Sequence, residues 1–162
     1  MIYSKKLQSQ VPVSIEFSTP PVYEGKFTKY VVKDKKIPIG HVHLTDTSKG
    51  VKVNFIKNMY PELYSGFGKI ADQIEVEHCV KRGLENFEIV SDAALNSHSL
   101  HYLRGKRFFS KDVEDKIKKV IAMTPKGRKF DTKFLGSVAM YMPEELISKY
   151  KELIKKCPLL IK

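Results

Sequence analysis

A Gly-x-Gly pair between a strand pattern and a helix pattern constrains the fold of this chain more than any other feature. The strand pattern covers Val51 to Lys57, and Gly66 and Gly68 follow it within the run YPELYSGFGK. Glycine lets the backbone approach a ligand closely, and the free N–H groups at the start of a helix attract an anion. The segment therefore predicts a phosphate cradle, for which a pyrophosphate is the natural guest.

The helix that follows the glycines is expected to bury one apolar face. Four apolar residues recur there at helical spacing: Phe67, Ile70, Ala71 and Ile74. Three carboxylates fall largely on other faces: Asp72, Glu75 and Glu77. This pattern predicts an amphipathic helix, which Gly83 ends.

The remaining segments alternate between strand and helix patterns. Before the glycines, an antiparallel meander is predicted over Val13 to Phe17, Phe27 to Val32, Ile37 to Thr45 and Val51 to Lys57. After Gly83 we expect a strand at Phe87 to Val90, a helix capped by Asn96 and ended by Gly105, a helix at Val113 to Met123, a strand at Lys133 to Tyr141 and a helix at Pro143 to Lys155. Turn residues and periodicity support each segment.

Length and composition predict one domain that spans residues 1–162. The chain is 42% apolar, which is enough for a core at this length. No apolar run reaches the roughly 18 residues that a membrane span needs, and the N-terminal residues lack a secretory pattern, so we expect a cytoplasmic protein without membrane contact. Cys79 and Cys157 are expected to be reduced thiols.

The chain carries a large positive surplus. Its net charge is +11, from 29 Lys and Arg against 18 Asp and Glu. Such a surplus favours a polyanion without identifying it. Because the lysines are spread along the chain and no RNP-type or Cys/His finger signature occurs, nucleic-acid binding is not the expected main role.

The motifs together resemble the GNAT superfamily of acetyl-CoA-dependent N-acetyltransferases. The family motif Gln/Arg-x-x-Gly-x-Gly/Ala is matched by both glycines of 63–68, with Leu63 in place of Gln or Arg. A second motif, Asn-x-x-Ala-x-x-Tyr, is matched by Asn96, Ser99 and Tyr102. The resemblance covers Ile37 to Phe108, and Tyr3 to Lys36 leaves little room for the two helices that the family usually has there.

This resemblance implies an α/β (α+β) fold. It implies a GNAT-like mixed, mostly antiparallel twisted sheet flanked by helices, with a shortened N-terminal helical region. It also implies an acyltransferase that moves the acetyl group of acetyl-CoA to a primary amine by direct attack. No metal is expected, although the pairs His41-x-His43 and His98-x-x-His101 each place two imidazoles on one face.

The resemblance also assigns residues to roles. Acetyl-CoA is expected to contact Met59, Tyr60, Tyr64, Ser65, Gly66, Phe67, Gly68, Lys69 and Asn96. Tyr102 is the expected general acid, because a phenol keeps its proton at neutral pH. Glu62 is the nearest carboxylate to the glycines and a candidate general base; His41, His43 or a water relay are the alternatives.

The acceptor stays open between an amine-bearing small molecule and a protein or peptide, and a homodimer is possible. Two other functions stay open as well. The chain can be a non-catalytic CoA-binding or regulatory module, which Leu63 and the short front end permit. The less favoured alternative is a basic nucleic-acid-binding protein whose glycine turn holds backbone phosphate.

Overall fold

The structure is a computed structural model that describes residues 1–19 and 27–160. The chain divides into two compact units. The first comprises Met1–Ile89 with Ser148–Lys162, and the second comprises Val90–Ile147. The prediction of one domain for the whole chain stays a prediction.

The first unit contains two sheets and a long helix. Its strands are β1 (Ile2–Ser4), β2 (Ser9–Val11), β3 (Ser14–Thr19), β4 (Phe27–Asp34), β5 (Ile37–Asp46), β6 (Gly50–Asn58) and β7 (Tyr64–Ser65). Strands β3, β4, β5 and β6 pair in this order, each antiparallel to the next, as the meander pattern predicts. A small sheet of order β2-β1-β7 accompanies them. Its strands have two or three residues, which is too short for an alternating pattern to be recognised.

The first helix, α1 (Phe67–Lys81), packs on the face of the meander where Tyr30, Val32, Val42 and Leu44 are buried. Gly83 ends it with a left-handed φ of 79°, as predicted. The expectation that its carboxylates lie outside the core is wrong. Asp72, Glu75 and Glu77 are fully buried.

The polar side of α1 is buried because the end of the chain covers it. Tyr150 lies with its hydroxyl 3.5 Å from a carboxylate oxygen of Asp72, and Gln73 donates to the Cys157 carbonyl. Both oxygens of Glu77 accept from the Leu159 N–H, at 2.9 and 3.1 Å. Periodicity within one helix cannot reveal this cover, which comes from a segment about eighty residues away.

The second unit has short strands around a small core. Its elements are β8 (Glu88–Ala93), which begins in the first unit, α2 (His98–Leu103), β9 (Arg107–Phe108), α3 (Lys111–Met123), a 3₁₀ turn (Lys133–Leu135), β10 (Val138–Tyr141) and α4 (Glu144–Lys156), which continues into the first unit. Strand β10 pairs antiparallel with both β8 and β9. Ala93, Phe108, Ile117 and Met140 form the core.

Several boundaries differ from the sequence-based expectation; β8, for example, ends at Ala93 and not at Val90. The strand predicted over Lys133 to Tyr141 begins only at Val138, because a 3₁₀ turn and Gly136 with φ 65° precede it. The predicted N-cap, Asn96, is also wrong: α2 begins after Ser97, and the Asn96 side chain is used elsewhere.

The described residues before β4 form strands and turns, so the scarcity of helix at the front end is confirmed for that part of the chain. Within residues 1–19 and 27–160, no helix combines the length and apolar character that crossing a membrane requires.

Candidate functional site

The glycine turn opens α1 in a way that leaves room for a ligand. Gly66 is the N-cap, with φ 89° and ψ 11°, a left-handed conformation that favours glycine. A Cβ placed on Gly66 meets no atom within 4 Å. No side chain caps the helix, and its first turn contains no acidic residue. The positive end of α1 is thus not neutralised by the side chains of its own first turn.

Gly40 fixes the position of this helix end. A Cβ on Gly40, in β5, would overlap the ring of Phe67. Phe67 is the first residue of α1, and its ring is buried. The missing side chain at Gly40 therefore lets the helix start close against the sheet.

The N-terminal strand β1 holds the segment before the glycines. Tyr3 pairs with Ser65 and Ser4 with Tyr64, and the Lys5 N–H donates to the Leu63 carbonyl at 2.8 Å. Alternation along an antiparallel ladder makes Tyr3 and Ser65 a hydrogen-bonded pair.

This pairing reduces the number of backbone N–H groups that are free to bind a phosphate. The N–H groups of Tyr64 and Ser65 are committed, the first to the Tyr60 carbonyl at 3.0 Å and the second to β1. Four backbone N–H groups at the start of α1 remain as candidate phosphate donors: Gly66, Phe67, Gly68 and Lys69.

The Tyr64 side chain is also occupied. Its hydroxyl donates to Asp34 at 2.7 Å. This hydrogen bond, with burial and the Asp34 charge, raises the pKa of Tyr64 to about 12. Tyr64 thus ties the turn to the end of β4.

Met59 and Tyr60 follow β6, and their N–H groups already have acceptors. The Met59 N–H donates to the Ile39 carbonyl at 2.9 Å, and the Tyr60 N–H to the side-chain oxygen of Asn58 at 3.0 Å. The amide nitrogen of Asn58 in turn donates to the Tyr64 carbonyl. The role of Met59 and Tyr60 in binding acetyl-CoA stays a prediction, and in this conformation it depends on groups other than these two N–H groups.

Glu62 lies in the turn between β6 and β7 and is exposed. Within the described part of the chain, no hydrogen bond or ion pair orients its carboxylate. Its role as a base therefore stays a prediction without geometric support.

Tyr102 lies in the last turn of α2, in the second unit. Its side chain is half-buried and packs against the core around Phe108. The Arg107 guanidinium lies 4.4 Å from the centre of its ring, and Arg107 also donates to the Tyr102 carbonyl at 3.2 Å. Among the described residues, no group forms a hydrogen bond with the phenol oxygen. The hydroxyl is thus available to a ligand.

Asn96 and His98 position a loop. The Asn96 side-chain oxygen accepts from the Thr132 N–H at 3.1 Å. His98 is fully buried between the Thr132 hydroxyl at 2.9 Å and the Gly136 carbonyl at 2.7 Å. The contact of Asn96 with acetyl-CoA stays a prediction, and its oxygen is already engaged.

The histidine pairs are not assembled into a metal site in the described residues. His41 and His43 lie on the outer face of β5 with ring centres 6.0 Å apart, and His101 contacts Arg104. Burial, with the charges of Lys29 and His41, lowers the pKa of His43.

Three residues that contact predicted site residues had no sequence signal. One of them, Asp34, is thirty residues from Tyr64, which it contacts. The other two, Asn58 and Arg107, belong to no motif. Gly40 did have a signal, because a glycine inside a strand pattern indicates close approach of another group.

No protein-family model matches this sequence, and no curated protein matches it. Solved structures with the same fold do exist. An IAA acetyltransferase from Bacillus cereus ATCC 14579 has a TM-score of 0.52 and 18% identity, with 81% of this chain and 99% of that chain covered. An acetyltransferase from Bacillus subtilis, solved in complex with CoA, has a TM-score of 0.52 and 17% identity, with 81% of this chain and 98% of that chain covered.

The chain therefore has the fold of these two acetyltransferases, and the predicted α/β (α+β) class with a mostly antiparallel sheet flanked by helices is confirmed. At this level of identity the likeness establishes the fold.

Proposed function

We propose that the protein is an N-acetyltransferase that moves the acetyl group of acetyl-CoA to a primary amine by direct attack. The observation that carries the proposal is the uncapped start of α1 at Gly66, in a chain with the fold of acetyltransferases. One of those neighbours was solved with CoA.

The pyrophosphate of acetyl-CoA fits the start of α1. The N–H groups of Gly66, Phe67, Gly68 and Lys69 offer hydrogen bonds, and the helix dipole favours the negative charge. The open space above Gly66 lets a phosphate approach the backbone. The Lys69 side chain is exposed in the first turn and adds a cation.

In the proposed reaction, the amine nitrogen forms a bond to the thioester carbonyl carbon and the carbon–sulfur bond breaks. The leaving thiolate takes a proton from the Tyr102 hydroxyl, and the new ammonium loses its proton to a base. The guanidinium of Arg107 packs on the Tyr102 ring, 4.4 Å from its centre, and helps to hold the ring in place.

Glu62 is the proposed base by its place in the sequence, with a relayed water as the alternative. A water relay to solvent would serve the same role.

A non-catalytic CoA-binding module is the second candidate. It is favoured by Leu63, which has no donor for phosphate, and by the N–H groups of Met59 and Tyr60, which already have acceptors. The first feature removes a contact to the phosphates, and the second removes contacts that would hold the thioester in place.

Two measurements test the proposal together. Calorimetry with acetyl-CoA reports binding, and release of free thiol over a panel of small amines and lysine peptides reports transfer. We expect binding and amine-dependent thiol release. Binding without release for any amine supports the module, and no binding at millimolar acetyl-CoA contradicts both.

A further inference from the structure

The outer face of the meander carries a patch in which aromatic rings and lysines alternate. The cross-strand register places three rows on this face: Phe27, Thr45 and Lys52; Lys29, His43 and Phe55; Val31, His41 and Lys57. We call these nine residues the ring–lysine patch. They come from three strands that the sequence separates by up to thirty residues.

The rings of the patch contact one another. Phe27 lies edge-on to His43 with ring centres 5.6 Å apart, and Phe55 lies on the other side of His43 at 5.0 Å. Phe27 and Phe55 are 37% and 44% exposed, although burial would stabilise both. Two exposed phenylalanines that flank one imidazole form an apolar surface open to a partner.

Positive charge surrounds these rings. Lys52 and Lys57 are exposed, and Lys29 is half-buried beside His43. Among residues 1–19 and 27–160, the register places Glu16 next to the patch on this face, and Glu16 pairs with Lys33 at 2.6 Å. Because the patch is positive, a second copy of the same face would be repelled, and an anionic partner is favoured.

We propose that the ring–lysine patch binds single-stranded nucleic acid, with bases stacked on Phe27, His43 and Phe55 and phosphates held by Lys29, Lys52 and Lys57. Single strands present flat bases and a phosphate backbone together, and sheets that bind them use aromatic residues on neighbouring strands. The lowered pKa of His43 keeps its ring uncharged at neutral pH, which suits stacking. This binding does not depend on the proposed acetyl transfer.

The test is fluorescence anisotropy with labelled oligouridylate, oligothymidylate and a duplex of equal length. We expect the wild-type chain to prefer both single strands over the duplex. Phe27→Leu and Phe55→Leu keep apolar bulk and remove the ring, so each should weaken single-strand binding by about 5- to 150-fold. Phe55→Tyr keeps the ring and should retain binding.

Lysine variants report the phosphate contacts. Lys52→Ala and Lys57→Ala should each lower the slope of log K against log salt by about 0.7. Phe134→Leu is the matched control, because Phe134 is also exposed but lies in the second unit, in a basic groove with Lys119 and Arg128. It should leave binding unchanged.

Several outcomes would overturn the proposal. Equal affinity for the duplex would assign binding to overall charge. An equal loss of affinity with Phe134→Leu would assign binding to the groove. Unchanged affinity in both Phe→Leu variants would rule out stacking of bases on these rings. Equally strong competition by polyglutamate at matched charge would indicate an acidic protein partner. Circular dichroism of each variant checks that it is folded. If a leucine variant is not folded, the single-strand affinity of Phe55→Tyr is used in its place.

Discussion

At the scale of single residues, Gly66 provides the sharpest test of acetyl-CoA binding. Gly66→Val should abolish the stabilisation by acetyl-CoA, about 2.7 kcal/mol at one hundred times the dissociation constant. The side chain would enter the open space above the turn and carry left-handed strain of about 1–2 kcal/mol. The measurement is thermal melting with and without acetyl-CoA.

Gly127 supplies the matched control, because its φ of 86° is similar and a Cβ there also meets nothing within 4 Å. Gly127→Val should carry similar strain and keep the response to acetyl-CoA. The same response in both variants would contradict a phosphate site at Gly66.

Tyr102 tests the chemistry. Tyr102→Phe removes only the hydroxyl, so a role as general acid predicts a 10²–10⁴-fold lower turnover, on the order of catalysis by one positioned acid. Stability and acetyl-CoA affinity should stay close to wild type. Tyr141→Phe is the control, since Tyr141 packs beside Phe109 in the same unit. Full turnover by Tyr102→Phe excludes this hydroxyl as the acid.

His78 predicts a dependence of stability on pH. It is buried between the Tyr30 hydroxyl and the Asp46 carboxylate, each at 2.6 Å. Burial lowers the pKa of His78, with Asp46 opposing that effect, so the unfolded chain binds a proton more readily than the folded chain. The contribution of His78 to the free energy of unfolding is therefore complete above about pH 6.5, the ordinary pKa of histidine. It decreases as the pH falls below that value.

Urea unfolding at pH 5.5 and 7.5 checks this expectation. The wild-type chain should lose more stability at pH 5.5 than His78→Gln, because other titrating groups are shared by the two chains. An equal loss in both chains would show that His78 does not contribute.

At the scale of elements, α1 depends on the end of the chain. Glu77 accepts from the N–H groups of Leu159 and Leu160. Truncation after Pro158 should lower the free energy of unfolding by about 1–3 kcal/mol, because it removes donors from a buried carboxylate.

A double-mutant cycle with Glu77→Gln separates this contact from lost apolar burial. Truncation and Glu77→Gln should be non-additive in urea unfolding. Glu152→Ala, on the exposed side of α4, serves as a control with little effect. Additive losses would mean that Glu77 does not hold the C-terminal segment.

At the scale of the whole molecule, β8 and α4 each begin in one unit and end in the other. Unfolding of either unit would disrupt elements of the other, so we expect one cooperative transition. Hydrogen exchange should give α1 and α3 the same highest opening free energy. Exchange of α3 while α1 stays protected would show that the units unfold separately.

Local features of the fold were readable in the sequence because they repeat within a few residues. The period of two predicted β4, β5 and β6, and the helical period with its glycines predicted α1. A family motif then linked these elements to the acetyltransferase fold. The assigned roles of Tyr102, Glu62 and the glycine-turn residues remain predictions.

Contacts between distant segments followed from folding. The buried carboxylates of Asp72 and Glu77 contact residues about eighty positions away, and the bond from Tyr64 to Asp34 joins groups thirty residues apart. The ring–lysine patch likewise requires the register of three strands. Such neighbours depend on how whole elements align and pack, and no local period in the sequence encodes that alignment.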